Sequence, residues 1–133
     1  MARFAAAVLI LLITSPGFAE KKPSDDKVWV IVRPIQCLEN PWEKAWLAKN
    51  PKQDAKYPRR REVELIKAYF AQKNVPLVDI RYKAYAGQGI CQACSCSRGD
   101  TFYFLIHGEN VPQMVKMGYT ERIAAADIPA KNH

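Results

Sequence analysis

The stretch "CQACSCSRGDTFYFLIH", residues 91–107, joins three closely spaced cysteines to a run of apolar residues. The apolar part, residues 101–107, has no polar alternation, which predicts a strand buried on both faces at the centre of a sheet. A second run of this kind, "VWVIV" at residues 28–32, is rich in the β-branched residues that strands favour. The two runs therefore predict two central strands.

Helices are predicted between and after these strands. At residues 40–50, Asn40 can cap a short helix, Pro41 suits its first position and Glu43 can return the capping bond. A longer helix is predicted over residues 60–73, because its apolar residues share one face; they are Val63, Leu65, Ile66, Tyr69 and Phe70.

Three further elements complete the pattern. Residues 77–85 alternate between apolar and polar side chains, as a half-buried strand near a sheet edge does. Residues 110–117 predict a short helix, and residues 119–123 predict a last strand.

The order strand, helices, strand, strand, helix, strand predicts a single small α+β domain over residues 28–123. We expect the ferredoxin-like βαββαβ arrangement, an antiparallel sheet with its helices on one face. In that arrangement the first strand pairs with the third, the second lies beside the third, and the fourth lies beside the first. Residues 20–27 predict a flexible lead-in, and residues 124–133 predict a frayed tail.

Residues 1–19 have the pattern of a secretory signal peptide. Arg3 precedes an apolar run at residues 4–13, and "GFA" supplies the small residues that a signal peptidase requires. The apolar run is shorter than the roughly 20 residues that cross a bilayer, and no later stretch is apolar enough to do so. We therefore expect an exported protein, periplasmic or secreted, that is cleaved near Ala19 and has no transmembrane segment afterwards.

The candidate functional residues are the four cysteines, Cys37, Cys91, Cys94 and Cys96. Because the first and third strands are predicted to be antiparallel, the end of one lies beside the start of the other, which brings Cys37 to the Cys-x-x-Cys-x-Cys loop. An oxidising compartment favours two disulfides. A bridge from Cys94 to Cys96 would be strained. Two pairings remain: Cys91–Cys94 with Cys37–Cys96, or Cys91–Cys96 with Cys37–Cys94.

The same cysteines allow two other interpretations. Four thiolates suit a soft metal, zinc or copper. Alternatively, Cys91 and Cys94 are the Cys-x-x-Cys pair of a periplasmic thiol–disulfide exchange protein. With two histidines and no glycine-rich phosphate loop, the chain offers no catalytic residues to assign, and an enzyme is the less favoured class. The sequence therefore indicates a small exported non-enzymatic binding or interaction module, with disulfides or a soft metal at its cysteines and thiol–disulfide exchange as the alternative.

A basic surface is the first candidate for binding a partner. The chain has a net charge of +7, which favours solubility and weak attraction to anionic surfaces. At the start of the longer helix, Arg59, Arg60 and Arg61 are either simply solvated or form an anion patch. Export argues against nucleic acid as the partner. So does the lack of aromatic residues interleaved with the basic ones, since bases stack on such residues.

The open face of the sheet is the second candidate. Helices on one face only would leave Trp29, Tyr103 and Leu105 on the other, where they would contact a protein partner or a second copy of the chain. The alternative is that the short helix carrying Trp42 and Trp46, or the linker after it, covers this face.

Overall fold

The computed structural model describes residues 26–52, 56–85, 87 and 91–130, so the predicted signal peptide lies outside the described residues. These residues contain four β-strands and three α-helices, in the order β1 (Lys27–Val32), α1 (Pro41–Lys49), α2 (Glu62–Gln72), β2 (Asp79–Lys83), β3 (Thr101–His107), α3 (Val111–Lys116) and β4 (Arg122–Ile123). Short 3-10 turns lie at Arg59–Arg61, Gly108–Asn110 and Ala125–Asp127. Within the described ranges no helix has the length and apolarity to cross a membrane.

The four strands form one antiparallel sheet in the order β2-β3-β1-β4. β1 pairs with β3 over its whole length, from Lys27 opposite His107 to Val32 opposite Phe102, so the two apolar runs are the central strands. β2 lies at one edge beside β3, and the short β4 lies at the other edge beside β1. The strand neighbours are those expected from the sequence, and the described residues form a small single α+β domain.

One face of the sheet carries the hydrophobic core. Alternate residues of β1 and β3 point to it, and buried side chains from all three helices join them; the cluster contains Val30, Val32, Trp42, Ile66, Phe70, Val75, Phe102, Phe104, Ile106 and Met114. In α1, the Trp42 ring lies 6.5 Å from the ring of Phe70 and 6.5 Å from that of Phe102. Because α1 packs on the same face as α2, the prediction that its tryptophans cover the opposite face is wrong.

The buried side of α2 differs from the predicted stripe. Ile66 and Phe70 are fully buried as expected, but Val63 is 39% exposed and Glu62 is only 6% exposed. The buried side therefore follows positions 62, 66 and 70, and Arg59–Arg61 form a 3-10 turn before the helix. The prediction for Val63 failed because an apolar pattern cannot show that a glutamate points inward to meet buried charges.

The opposite face of the sheet is partly covered by the chain itself. Tyr103 is buried, while Trp29 and Leu105 are partly buried. The Arg81 guanidinium lies 5.6 Å from the centre of the Trp29 ring, and its Nη1 donates to the Pro129 carbonyl at 3.2 Å. Pro129, in the segment after β4, therefore reaches this face.

Candidate functional site

The four cysteines form two disulfides at one end of the sheet. Cys37 bonds to Cys94, and Cys91 bonds to Cys96, with Cα–Cα distances of 5.1 and 5.9 Å. Antiparallel pairing of β1 with β3 brings the loop after β1 against the loop before β3, which is how the isolated Cys37 meets the other three. The structure thus has the second of the two pairings that the sequence left open.

This pairing bears on the other interpretations of the cysteines. Cys91 and Cys94 bond to different partners, so the bridge within the Cys-x-x-Cys pair, on which the exchange hypothesis was based, is not the one formed. Each sulfur is held in a disulfide rather than presented as a thiolate ligand. Among the described residues, no group of three or more His, Cys, Asp or Glu side chains is placed to hold a metal ion. The structure therefore supports the disulfide interpretation.

Backbone hydrogen bonds join the same two loops. The Gln36 N–H donates to the Cys96 carbonyl at 3.0 Å, and the Arg98 N–H donates to the Pro34 carbonyl at 2.7 Å. Together with the disulfide from Cys37, these bonds fix the backbone of the loop that carries Arg98.

Arg98 is the centre of a buried charged cluster. Its side chain is 18% exposed, and its three nitrogens make five hydrogen bonds, to Asp100, Glu62 and Glu43, at 2.5–3.0 Å. A guanidinium has five N–H donors, so all of them are engaged. Glu43 is fully buried, and Glu62 and Asp100 are nearly so. These carboxylates belong to α1, α2 and the residue before β3, so one guanidinium joins three parts of the fold.

A second arginine closes the cluster on its solvent side. The Arg59 Nη1 donates to Glu43 at 2.5 Å and to Glu62 at 2.9 Å, while its guanidinium lies 4.8 Å from the centre of the Tyr57 ring. The Trp42 Nε1 also donates to Glu62, at 3.1 Å. The Arg59 side chain is 44% exposed, so the cluster reaches solvent through it.

The structure divides the predicted arginine patch. Arg59 turns inward to the buried acids. Arg61 pairs with Glu64 on the surface, at 3.4 Å, and Arg60 is exposed. Anion binding by the three arginines as one patch stays a prediction.

Three carboxylates share only two guanidinium groups in this cluster. Burial raises the pKa of Glu62 to about 7, and the nearby charges of Glu43 and Asp100 act in the same direction, against the hydrogen bond from Trp42. The charge balance explains why the pKa of Glu62 is raised. One of the three carboxylates has no cation of its own, and it is too buried for water to stabilise its charge instead.

The free energy of unfolding of the domain is expected to depend on pH through the titration of Glu62. The unfolded chain releases this proton near pH 4.5 and the folded chain near pH 7. The stabilising contribution is therefore complete below pH 4.5 and is lost as the pH rises through 7, with a slope of at most about 1.4 kcal/mol per pH unit. Urea unfolding between pH 4.5 and 7.5 should show this slope in the wild type and lose it in Glu62→Gln. The matched variant Glu64→Gln, on the exposed side of the same helix, should keep it, and a slope that survives Glu62→Gln would contradict the assignment.

A cleft of about 560 Å³ opens beside the charged cluster, between α2 and β2. One wall comes from Arg59, Val63 and Lys67, which lie on one side of α2 and of the turn before it. The sheet contributes an apolar floor, made by Ile80, Tyr82 and Phe102. A second concavity, of about 440 Å³, lies against the exposed sulfurs, where Cys37 and Cys91 meet Arg59 and Arg98.

Sequence reasoning missed this charged cluster. It interpreted Glu43 as part of a capping box, which is correct, since the Glu43 carboxylate accepts from the Asn40 N–H at 3.0 Å. It did not show that the same carboxylate is buried against Arg98. The sequence did contain one indication that Glu62 is buried. It lies four positions before Ile66 and eight before Phe70, so it falls on the buried side of the helix.

Comparison with known proteins finds no matching family model, no similar curated protein and no similar solved structure.

Proposed function

We propose that this protein is a small exported binding module, without catalytic residues of its own, whose two disulfides hold a binding site in shape. The observation that carries the proposal is the Cys37–Cys94 bridge, which joins the loop after β1 to the loop before β3 at a position four residues before Arg98. The buried acids beside the cleft depend on Arg98, so the bridge acts on the part of the domain where a ligand would be held.

Export and fold type belong to the same proposal. Disulfides persist in oxidising compartments, which supports a periplasmic or secreted location after cleavage near Ala19. The strand order β2-β3-β1-β4, with helix side chains packed on one face, supports a ferredoxin-like βαββαβ classification.

Intact mass of the exported protein tests the proposal. Material from the periplasmic or culture fraction is measured under native conditions, and again after denaturation with a thiol-blocking label. Two disulfides, no label and a mature start near Glu20 are expected. Four labelled thiols with zinc or copper bound in the native sample would overturn the disulfide part and favour a metal site.

Thiol–disulfide exchange is the second candidate function. Cys37, Cys91 and Cys94 are exposed, and Arg59 and Arg98 border the concavity beside them. Neighbouring cations stabilise a departing thiolate, which is the condition for a reactive bridge. Incubation with millimolar reduced glutathione separates the candidates, because a stapled module keeps both bridges while an exchange protein forms a mixed disulfide and opens one of them.

The open sheet face stays a proposed contact surface for a protein partner or a second copy. Trp29 and Leu105 are partly exposed there, which supports contact, but Tyr103 is buried and Arg81 covers Trp29. The accessible apolar area is therefore smaller than the strand pattern predicts. Sedimentation of the purified protein over a range of concentrations tests for self-association through this face.

A further inference from the structure

We infer that the cleft between α2 and β2 binds a small amphipathic anion, namely an organic carboxylate with an apolar body. The inference rests on the proposed binding function and adds the place and the chemical class of the ligand.

The acids that line the cleft are already engaged within the protein. Both oxygens of Glu62 and both oxygens of Asp100 accept hydrogen bonds from Arg98. Both oxygens of Asp79 accept as well, one from a backbone N–H and one from a guanidinium of its own strand. A cationic ligand would therefore compete with existing bonds at every carboxylate in the lining.

The cations on the helix wall keep donors for a ligand. Arg98 has no N–H left, but Arg59 bonds to the buried acids through Nη1 alone. Lys67 is exposed and has no ion pair with any other residue that the structure describes. These two residues are eight positions apart, on either side of Val63, so they flank one side of the cleft. An anionic group entering the cleft meets unused donors there.

The floor of the cleft supplies contact area for an apolar body. Ile80, Tyr82 and Phe102 form it, and the exposed Val63 faces them from α2. The volume of about 560 Å³ lies within the range of roughly 300 to 1,000 Å³ that small-molecule sites occupy. An added peptide strand is a poorer fit for the edge at β2, since the Ile80 N–H is already bonded to Asp79.

A titration with two matched probes tests the inference. The oxidised, exported protein is labelled with ¹⁵N and its disulfides are verified by intact mass. Amide spectra are then recorded with sodium decanoate, and separately with decyltrimethylammonium, both below their micelle concentrations. Decanoate should give saturable shifts at Val63, Lys67 and Ile80, and bind at least about tenfold more tightly than the ammonium probe, which has the same tail and the opposite charge.

Charge-reversal variants complete the test. Lys67→Glu should weaken decanoate binding by about tenfold or more, whereas Lys116→Glu, an equal change of charge on α3 away from the cleft, should leave it unaltered. Equal binding of the two probes, or shifts confined to other parts of the domain, would overturn the inference. Absence of decanoate binding by a protein with both disulfides intact overturns the ligand assignment alone. Absence of the disulfides overturns the proposed function as well.

Discussion

Replacement of Arg98 by methionine is expected to destabilise the domain by about 3–5 kcal/mol, the range for removing one partner from a buried ion pair. The variant leaves the carboxylates of Glu43, Glu62 and Asp100 buried, with Arg59 as the remaining cation of the cluster, and it removes five hydrogen bonds. The loss should be smaller at pH 5 than at pH 8, because burial raises the pKa of Glu62 to about 7, so this carboxyl group is protonated and needs no cation at the lower pH.

Urea unfolding at the two pH values measures this effect. Arg61→Met is the matched control, since Arg61 and Glu64 form a surface pair whose side chains are 72% and 67% exposed, and it should lose less than about 1 kcal/mol. Arg98→Lys should fall between the two, because lysine keeps the charge but not the planar fork that reaches three carboxylates. Similar losses for Arg98→Met and Arg61→Met would show that the cluster contributes nothing beyond a surface pair.

Removal of the Cys37–Cys94 bridge should destabilise the domain more than removal of the Cys91–Cys96 bridge. The two disulfides join residues separated by 57 and 5 positions. In the chain-entropy account, these separations correspond to about 4 and about 2 kcal/mol of stabilisation. Unfolding of Cys37→Ala/Cys94→Ala and of Cys91→Ala/Cys96→Ala, without reductant, compares them directly. Equal losses, or a larger loss for the short loop, would contradict the expected order.

The longer bridge is also expected to act through Arg98. If it positions the loop that carries this residue, then Arg98→Met should lose less stability in the Cys37→Ala/Cys94→Ala background than in the wild type. Effects that share one structural element are not additive, whereas independent effects add within about 0.5 kcal/mol. Full additivity would mean that the bridge works by restricting the unfolded chain and not by holding the charged cluster.

The elements that hold the sheet together were predictable from the sequence for a physical reason. The bounds predicted for β3, residues 101–107, are those observed, because a run that is apolar at successive positions is stable only as a buried central strand. Antiparallel pairing of this strand with residues 28–32 then brought Cys37 to the cysteine loop without further information. The sequence could not decide between the two disulfide pairings, since both are possible once Cys37 lies close to the other three cysteines.

The charged cluster could not be predicted in the same way. Arg98 lies 36 positions from Glu62 and 55 from Glu43, and no local pattern connects them. Periodicity identifies the apolar side chains of a helix that are buried. A carboxylate, in contrast, is buried only where a cation or hydrogen-bond donor from elsewhere in the chain meets it. For this reason Val63 was predicted to be buried and Glu62 was not, although the structure has them the other way round.

The contact of three buried carboxylates with the single guanidinium of Arg98 also constrains how this protein can evolve. Loss of Arg98 leaves three buried carboxylates with Arg59 as their only remaining cation in the cluster, whereas joint replacement of a buried charged group by well-packed apolar residues is often neutral or stabilising. Substitutions at Glu43, Glu62, Arg98 and Asp100 should therefore be epistatic. Descendants of a common ancestor would keep these four positions as a set or exchange them as a set, with few viable intermediates between the two conditions.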